Sequence, residues 1–443
     1  RSAAGSPAGV LAAGADALVP WDRNTPMAPP SPQRIGVIGG GVAGLACARR
    51  LADLGKDVVV FDTGKWAPGG RASSRKWADG GPPVDHAAQF ASATTPEFRK
   101  LLADLEREGS VRPFRGRLGR LVASPTPGEP PAFSPLDDGI QRFHGSEGMG
   151  SLVGSLARGL DVRQDIWVPP SGGICKLSDG SWEVREQKKR THSFDAVVIA
   201  HNGKCAERLT TPGGRQPAHG VHALLRARFG ARLPKPRPGG GTFQLNSIYS
   251  LLFEVDEGLV PACIGDAVFV EGEPALRWLS NNAAKYGSAA GRSTHVWTAL
   301  SSGAFGANHK HPQEQLEGSE MEAKVTALLL EAVERATGLG RGELQRKVVR
   351  SKLQLWGAGV PLNRWSSDYV WDAAHSIGIA GDWLSTDAAR ASTIEGAWVS
   401  GVRLAEHIAS TATVDQGAVR TPRRAVPRTC RAAPRTVCLP HAT

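Results

Sequence analysis

The pattern of apolar runs and glycines near the start of the chain predicts a βαβ unit. Residues 34–38 are apolar, residues 39–44 are rich in glycine, and residues 45–55 have apolar positions at helical spacing and end in glycine. A second apolar run, residues 57–62, ends in an aspartate. This order predicts a strand, a tight turn, a helix and a second buried strand, with a right-handed crossover.

Later segments extend this pattern. Residues 69–150 are irregular and rich in glycine and proline, which favours loops that wrap a ligand. Helices are predicted at 96–108, 149–160, 317–337 and 392–409. Strands are predicted at 162–168, 181–185, 194–200, 248–255, 267–271, 276–280, 295–300 and 377–382.

These predicted elements divide the chain into five segments. They are a leader or transit remnant (1–33), the first part of a dinucleotide-binding domain (34–214), an inserted, mainly β substrate domain (215–355), the second part of the binding domain (356–410) and a basic, disordered tail (411–443). The overall class is therefore α/β with an inserted layer.

Composition narrows the function classes. The 443 residues are 41% hydrophobic and 21% charged, which is typical of a globular enzyme. The net charge is +11, but the tail supplies +5 of it through six arginines and one aspartate. The remaining +6 is modest, and without a nucleic-acid-reading motif we expect no nucleic-acid partner.

The sequence contains no motif for a metal site, a nucleophile elbow or a phosphate loop. The six cysteines form neither a disulfide framework nor a zinc spacing, so no metal is predicted. The chain contains no nucleophile elbow, no phosphate loop ending in Gly-Lys-Ser/Thr, and no apolar run long enough to span a bilayer. Among the histidines, His201 follows a buried strand, where a loop role is the preferred interpretation.

The turn after the first strand carries a dinucleotide fingerprint. Gly39, Gly41 and Gly44 have the spacing that allows a tight turn, close approach of a pyrophosphate and close helix packing. The helix start, including Val42 and Ala43, would present N–H groups to phosphates. Asp62 stands where a carboxylate accepts hydrogen bonds from a ribose. This fingerprint alone leaves FAD and NAD both open.

Further motifs stand at both ends of the chain. Residues 68–75 read Pro-Gly-Gly-Arg-Ala-Ser-Ser-Arg, and residues 85–90 read Asp-His-Ala-Ala-Gln-Phe. Residues 380–384 read Ala-Gly-Asp-Trp-Leu, and residues 395–401 read Glu-Gly-Ala-Trp-Val-Ser-Gly. From about residue 34 to 408 the chain resembles the FAD-dependent amine oxidase-like flavoproteins, specifically their renalase-like branch with its plant and algal relatives.

This resemblance implies FAD as cofactor, in a Rossmann-type domain of the glutathione-reductase or amine-oxidase kind. Two departures are the pair Ala87-Ala88, where the family often has glycine, and the irregular segment 385–393. The expected cofactor-binding residues are Gly39, Gly41, Val42, Ala43, Gly44, Asp62, Gly70, Arg71, Gln89, Val168, Gly381, Asp382, Glu395, Gly396 and Ala397.

The resemblance also implies that flavin accepts a hydride from a small reduced substrate, a dihydronicotinamide-type compound or an amine, and passes the electrons to oxygen. No side chain is obligatory for that chemistry, so catalytic residues are not assigned. The substrate candidates are Trp278, Asn282, Trp297 and Trp365, with Asn281, Lys285, Trp356 and Asn363 as further options; core packing is the alternative for the tryptophans.

Two other functions stay open. One is a flavin-bound structural or assembly factor that joins a larger complex through the basic tail. The other is a carotenoid- or porphyrin-type oxidoreductase with an apolar cavity and membrane contact. Leader composition and the similarity to plant and algal forms favour a chloroplast location, and the cytoplasm is the alternative.

Overall fold

The computed structural model describes residues 32–210 and 245–410, apart from 78–79, 125, 127–128, 171, 188–189 and 289–290, and also residues 221, 222 and 225. The predicted tail and nearly all of the predicted leader therefore lie outside the described residues.

The described chain alternates helices and strands, as a mixed α/β fold should. The helices are α1 (Val42–Asp53), α2 (Pro96–Arg107), α3 (Gly150–Ala157), α4 (Gly203–Leu209), α5 (Ala283–Tyr286), α6 (Gly303–Asn308), α7 (Glu320–Thr337), α8 (Glu343–Lys347) and α9 (Ile394–Ser410). The strands are β1 (Arg34–Ile38), β2 (Asp57–Phe61), β3 (Ser74–Arg75), β4 (Val84–Asp85), β5 (Ala91–Ser92), β6 (Val111–Pro113), β7 (Leu118–Val122), β8 (Ala132–Pro135), β9 (Arg142–Gly145), β10 (Asp161–Arg163), β11 (Ile174–Lys176), β12 (Trp182–Arg185), β13 (Thr191–Phe194), β14 (Ala196–Ile199), β15 (Leu245–Asp256), β16 (Ala267–Glu271), β17 (Leu276–Asn281), β18 (Thr294–Ser301), β19 (Arg350–Pro361), β20 (Val370–Asp372) and β21 (Ile377–Ile379).

A six-stranded sheet in the order β10-β2-β1-β14-β21-β20 forms the first layer. Its strands are parallel except β20. Alternate residues of β1 face opposite cores: Ile35 and Val37 pack with α1 and α9, whereas Ile38 packs with β12 and β13. A sheet buried on both faces requires near-continuous apolar strands, and the sequence has them.

The second layer is a seven-stranded sheet in the order β19-β15-β18-β17-β16-β7-β8. All neighbours are antiparallel except β16 and β7. Helix α7 covers one face through apolar side chains such as Leu329 and Val333. This sheet is not confined to the predicted segment 215–355, because β7 and β8 come from earlier in the chain and β19 continues to Pro361.

Most predicted elements appear within a few residues of their expected bounds, and the predicted fold class is confirmed. The strand expected at 162–168 is wrong in length: only Asp161–Arg163 pairs with β2. Asp165 has a backbone φ of 56°, the left-handed conformation of a turn, so the chain leaves the sheet there. The strand expected at 194–200 is divided, since Phe194 ends β13 and pairs with Trp182 in a separate three-stranded sheet.

Candidate functional site

A cavity of about 440 Å³ lies where the two layers meet. Its wall combines the loops after β1, β2, β14 and β21 with residues of β15, β18 and β19. The carboxyl ends of parallel strands are the usual ligand edge of such a sheet. The lining residues are Gly39, Gly41, Val42, Ala43, Asp62, Thr63, Gly69, Gly70, Arg71, Ala72, Ala87, Ala88, Ala200, His201, Asn202, Ile248, Leu300, Gln313, Trp356, Gly357, Ala358, Gly359, Val360, Gly381, Asp382, Ser392, Thr393, Ile394 and Ala397.

Three glycines shape the turn between β1 and α1. Gly39 has φ 114°, and a Cβ there would lie 2.8 Å from the Ala200 carbonyl oxygen. A Cβ at Gly44 would lie 1.9 Å from the Gly39 oxygen, so helix and strand pack too closely for a side chain. A Cβ at Gly41 would meet nothing within 4 Å. Gly41 therefore leaves its side of the cavity open to a ligand, as the fingerprint predicts.

Asp62 fixes the same turn from the end of β2. Its Oδ2 accepts a hydrogen bond from the Gly40 N–H at 2.7 Å, and its Oδ1 accepts one from the Gly64 N–H at 2.7 Å. Helix α1 begins beside it at Val42 without a side-chain cap. The first N–H groups of α1 and the positive end of its dipole thus stand at the cavity wall and suit an anionic ligand.

Arg71 and Asp382 join the two ends of the chain across the cavity. The Arg71 guanidinium donates to both Asp382 carboxylate oxygens, each at 2.8 Å, and to the Gly359 carbonyl oxygen at 2.8 Å. Burial opposes the charge of Arg71, but Asp382 outweighs it and raises the pKa of the guanidinium. A parallel bridge between Gly41 and Gly69 holds the loop before Arg71 against the fingerprint turn.

The C-terminal elements complete the wall. Gly381 follows β21, and its N–H donates to Ser400 Oγ on α9 at 2.9 Å. The start of α9 brings Ile394 and Ala397 to the cavity. Gly44 packs behind the turn. Ten of the predicted cofactor residues line one cavity: Gly39, Gly41, Val42, Ala43, Asp62, Gly70, Arg71, Gly381, Asp382 and Ala397.

Two predicted cofactor residues, Gln89 and Val168, do not line this cavity. Gln89 is buried behind the wall, where its Nε2 donates to the Asp85 carbonyl oxygen at 2.9 Å and its Oε1 accepts from Lys285 at 3.0 Å. Val168 packs into the apolar cluster that contains Trp182. The strand predicted at 162–168 ends at Arg163, so Val168 lies outside it.

Glu395 and Gly396 also lie outside the lining. The Glu395 carboxylate accepts hydrogen bonds from the backbone N–H and the hydroxyl of both Thr94 and Thr95. It therefore ties α9 to the start of α2. A Cβ at Gly396 would lie 2.0 Å from the Arg390 carbonyl oxygen, so this glycine permits the tight start of α9.

The four substrate candidates Trp278, Asn282, Trp297 and Trp365 lie outside the cavity lining. Trp297 points to the face of β18 covered by α7, because side chains alternate along a strand and Leu300 takes the cavity face. Trp278 is buried and packs edge-on against Phe90. Trp365 packs edge-on against Trp383.

The polar candidates belong to a buried cluster behind the wall, made of Asp85, Lys285, Tyr286 and Asn282. Lys285 Nζ donates to Asp85 at 2.6 Å, and both side chains have 0% exposure. Tyr286 also donates to the carboxylate, and Asn282 Oδ1 accepts from the Asp85 N–H at 3.0 Å. Burial acts to raise the pKa of Asp85, but Lys285 and Tyr286 lower it overall. This cluster joins β4 of the loop-rich region to the second sheet.

The remaining substrate options lie at different places relative to the cavity. Trp356 lines the cavity, whereas Asn281 turns to His295, where its Nδ2 lies 3.1 Å from His295 Nδ1. Asn363 follows β19 and is outside the lining.

Sequence reasoning missed several wall residues: His201, Asn202, Ile248, Leu300, Gln313, residues 357–360 and residues 392–394. His201, for which a loop role was preferred, lines the cavity at the end of β14, and burial lowers its pKa against the pull of Asp62. The clearest missed signal was the run Trp-Gly-Ala-Gly-Val at residues 356–360, where small residues in a strand indicate close approach of a ligand or another backbone.

Comparisons with known proteins agree with this architecture. Residues 37–105 match the model of the NAD(P)-binding Rossmann-like domain. Among solved structures, cyclohexylamine oxidase from Brevibacterium oxydans IH-35A is 14% identical, with a TM-score of 0.58 over 86% of this chain and 99% of that chain. Putrescine oxidase bound to putrescine is 12% identical, with a TM-score of 0.52 over 85% and 99%. Reduced UDP-galactopyranose mutase is 10% identical, with a TM-score of 0.56 over 86% and 98%. At these identities the likeness establishes the fold.

No group of three or more histidine, cysteine, aspartate or glutamate side chains among the described residues could hold a metal ion. No helix in the described ranges is long and apolar enough to cross a membrane.

Proposed function

We propose that this chain is an FAD-dependent oxidoreductase that accepts a hydride from a small reduced substrate, a dihydronicotinamide-type compound or an amine, and returns the electrons to oxygen. The observation that carries the proposal is the single cavity assembled from both ends of the chain, with Gly41, Asp62, Arg71 and Asp382 in its wall. The renalase-like branch remains the proposed subtype.

The wall fits a dinucleotide. Gly41 keeps space open beside the uncapped start of α1, where phosphates are stabilised by N–H groups and the helix dipole. Asp62 would accept hydrogen bonds from the adenosine ribose, and Asp382 would accept them from the ribityl chain. When bound, the flavin supplies the hydride-accepting chemistry.

The chain's own part is binding, orientation and exclusion of water. Ile248, Leu300 and Val360 give the second-layer wall an apolar surface, and Trp356 adds an aromatic one. An apolar wall with few polar groups is typical of small-molecule sites, where the apolar surface buries the ligand and the polar groups fix its orientation.

Gly41→Val tests the cofactor site. Gly41 has φ −76°, which any residue adopts, and a Cβ there meets no protein atom, so the variant should fold while its side chain enters the cavity. Purified wild type should show flavin absorption between about 300 and 600 nm, and Gly41→Val should lose most of it. Gly154→Val, on α3 with open space at its Cβ, is the matched control.

Reduction tests the activity. Anaerobic addition of reduced nicotinamide isomers or amines should bleach the flavin bands, and the donor that works defines the substrate. Wild type that binds no FAD when supplied with it would refute the cofactor proposal. Flavin that binds but is reduced by no donor would instead favour a structural factor.

The remaining alternatives have their own tests. We propose association with a larger complex through the basic tail and location in the chloroplast, with the cytoplasm as alternative; co-purification and imaging of a tagged full chain examine both. A carotenoid- or porphyrin-type oxidoreductase should float with liposomes, whereas an oxidase of small soluble substrates should not.

A further inference from the structure

His86 is a buried imidazole in the segment that forms one wall of the cavity. Its side chain is 3% exposed, and the next two residues, Ala87 and Ala88, line the cavity. The Ala88 N–H donates to the Arg71 carbonyl oxygen at 2.9 Å, which fixes the segment against the loop that carries the arginine. This imidazole belongs neither to the glycine fingerprint nor to the Asp85 cluster.

The hydrogen bonds define which nitrogen carries the proton. Ser73 Oγ donates its single proton to the Gly70 carbonyl oxygen at 2.7 Å. The same oxygen lies 3.1 Å from His86 Nε2, and with its proton given to Gly70 it can accept there, an arrangement that favours the tautomer with the hydrogen on Nε2. Nδ1 is then a bare acceptor, fully buried and without a hydrogen-bond partner among the described residues.

The His86 imidazole also stacks on the side chain of a residue in the cavity wall. His86 lies flat on Trp356, with centroids 5.3 Å apart and planes 7° apart, and Trp356 lines the cavity. A buried polar atom without a partner is costly and calls for a functional reason. A nitrogen that is protonated in only one state of the protein supplies such a reason.

The charged groups around His86 leave it sensitive to new charge. Burial and the charge of Arg75 lower the pKa of His86, Asp85 raises it, and the net result is a pKa of about 4. Lys285 already pairs with the charge of Asp85. The negative charge of Glu317 interacts with Arg75 and acts to raise its pKa. A negative charge arriving in the cavity would therefore favour the imidazolium and raise its pKa.

We propose that His86 is a redox-linked proton site, where Nδ1 takes up a proton from solvent in mildly acidic solution when the flavin gains two electrons. This rests on the proposed function. A hydride from the donor would bring two electrons and one proton to a bound flavin and add one negative charge, which a proton on Nδ1 would balance below the reduced-state pKa of His86. Reoxidation by oxygen would consume two electrons and two protons to give hydrogen peroxide, and Nδ1 would release its proton as the second of the two.

Ring nitrogen NMR of the histidine-labelled holoprotein tests this directly. Titrations from about pH 3 to about pH 7 compare the oxidised protein with protein reduced by dithionite, and the His86 signal is identified by its loss in His86→Gln. We expect the neutral Nε2–H tautomer in the oxidised protein and a titration midpoint at least about one unit higher in the reduced protein. Equal midpoints in the two states would overturn the proposal.

Proton uptake on reduction gives the second measurement. His86→Phe keeps a ring against Trp356 but has no nitrogen, so its uptake per flavin should fall below that of wild type near pH 5. His144→Phe, another buried imidazole outside the lining, should keep the wild-type uptake. Loss of uptake in His201→Asn instead of His86→Phe would also overturn the proposal.

The two proposals fail in different ways. Absence of bound FAD, or of any donor that reduces it, contradicts the proposed function. Bound FAD that dithionite reduces without a change at His86 contradicts only the inference about this residue, and wild-type spectra decide that even if His86→Phe does not fold.

Discussion

Removal of Lys285 should show how much the buried Asp85 cluster contributes to stability. Both charged side chains have 0% exposure, and their N–O distance is 2.6 Å. In Lys285→Met the aspartate keeps its hydrogen bonds from Ser74 Oγ at 2.7 Å and the Met149 N–H at 2.8 Å, but no cation remains. Leaving one partner of such a pair buried costs about 3–5 kcal/mol of unfolding free energy.

Urea unfolding measures this loss, and an exposed pair provides the control. Lys100 pairs with Asp104 at 2.7 Å, but its side chain is 77% exposed, so Lys100→Met should cost no more than about 1 kcal/mol. Asp85→Asn combined with Lys285→Met should recover part of the loss, because the uncompensated charge is gone. A loss below about 1 kcal/mol in Lys285→Met would refute the reasoning.

The pH dependence has a definite sign. In wild type the pKa of Asp85 is lowered, so its ionised form stabilises the fold and that contribution is lost only as the pH falls through the folded pKa. Without Lys285, burial raises the pKa of Asp85, and the folded state then binds more protons than the unfolded state. The stability deficit of Lys285→Met should therefore shrink as the pH is lowered from about 8 to about 5; a deficit independent of pH would contradict this account.

Two further predictions concern packing and reactivity. Gly44→Ala places a Cβ 1.9 Å from the Gly39 carbonyl oxygen and should cost more than about 3 kcal/mol in urea unfolding, whereas Gly154→Ala, with nothing within 4 Å, should be neutral or stabilising; equal effects would refute the packing argument. Burial raises the pKa of the Cys47 thiol, so peptide mapping after mild alkylation should find Cys263, which is exposed, modified while Cys47 reacts only after unfolding; rapid labelling of Cys47 would contradict its burial.

The sequence by itself determined the local units. The spacing of Gly39, Gly41 and Gly44 after an apolar run predicted a strand, turn and helix, and the structure confirms them, because tight turns and close packing depend on residues adjacent in the chain. The position of Asp62 at the end of β2 was likewise predicted from the residues next to it in the chain. Local periodicity also located most helices and strands within a few residues.

Tertiary structure alone decided which side chains face the cavity. A tryptophan on a strand carries no local signal for its face, and the packing of α7 turned Trp297 inward while Leu300 faces the cavity. Long-range contacts depend on the fold in the same way: Glu395 accepts hydrogen bonds from Thr94 and Thr95, about 300 residues earlier, and Lys285 pairs with Asp85 of the small β3–β4 sheet. Such partners are chosen by sheet register and layer packing, which depend on the whole fold and not on neighbouring residues.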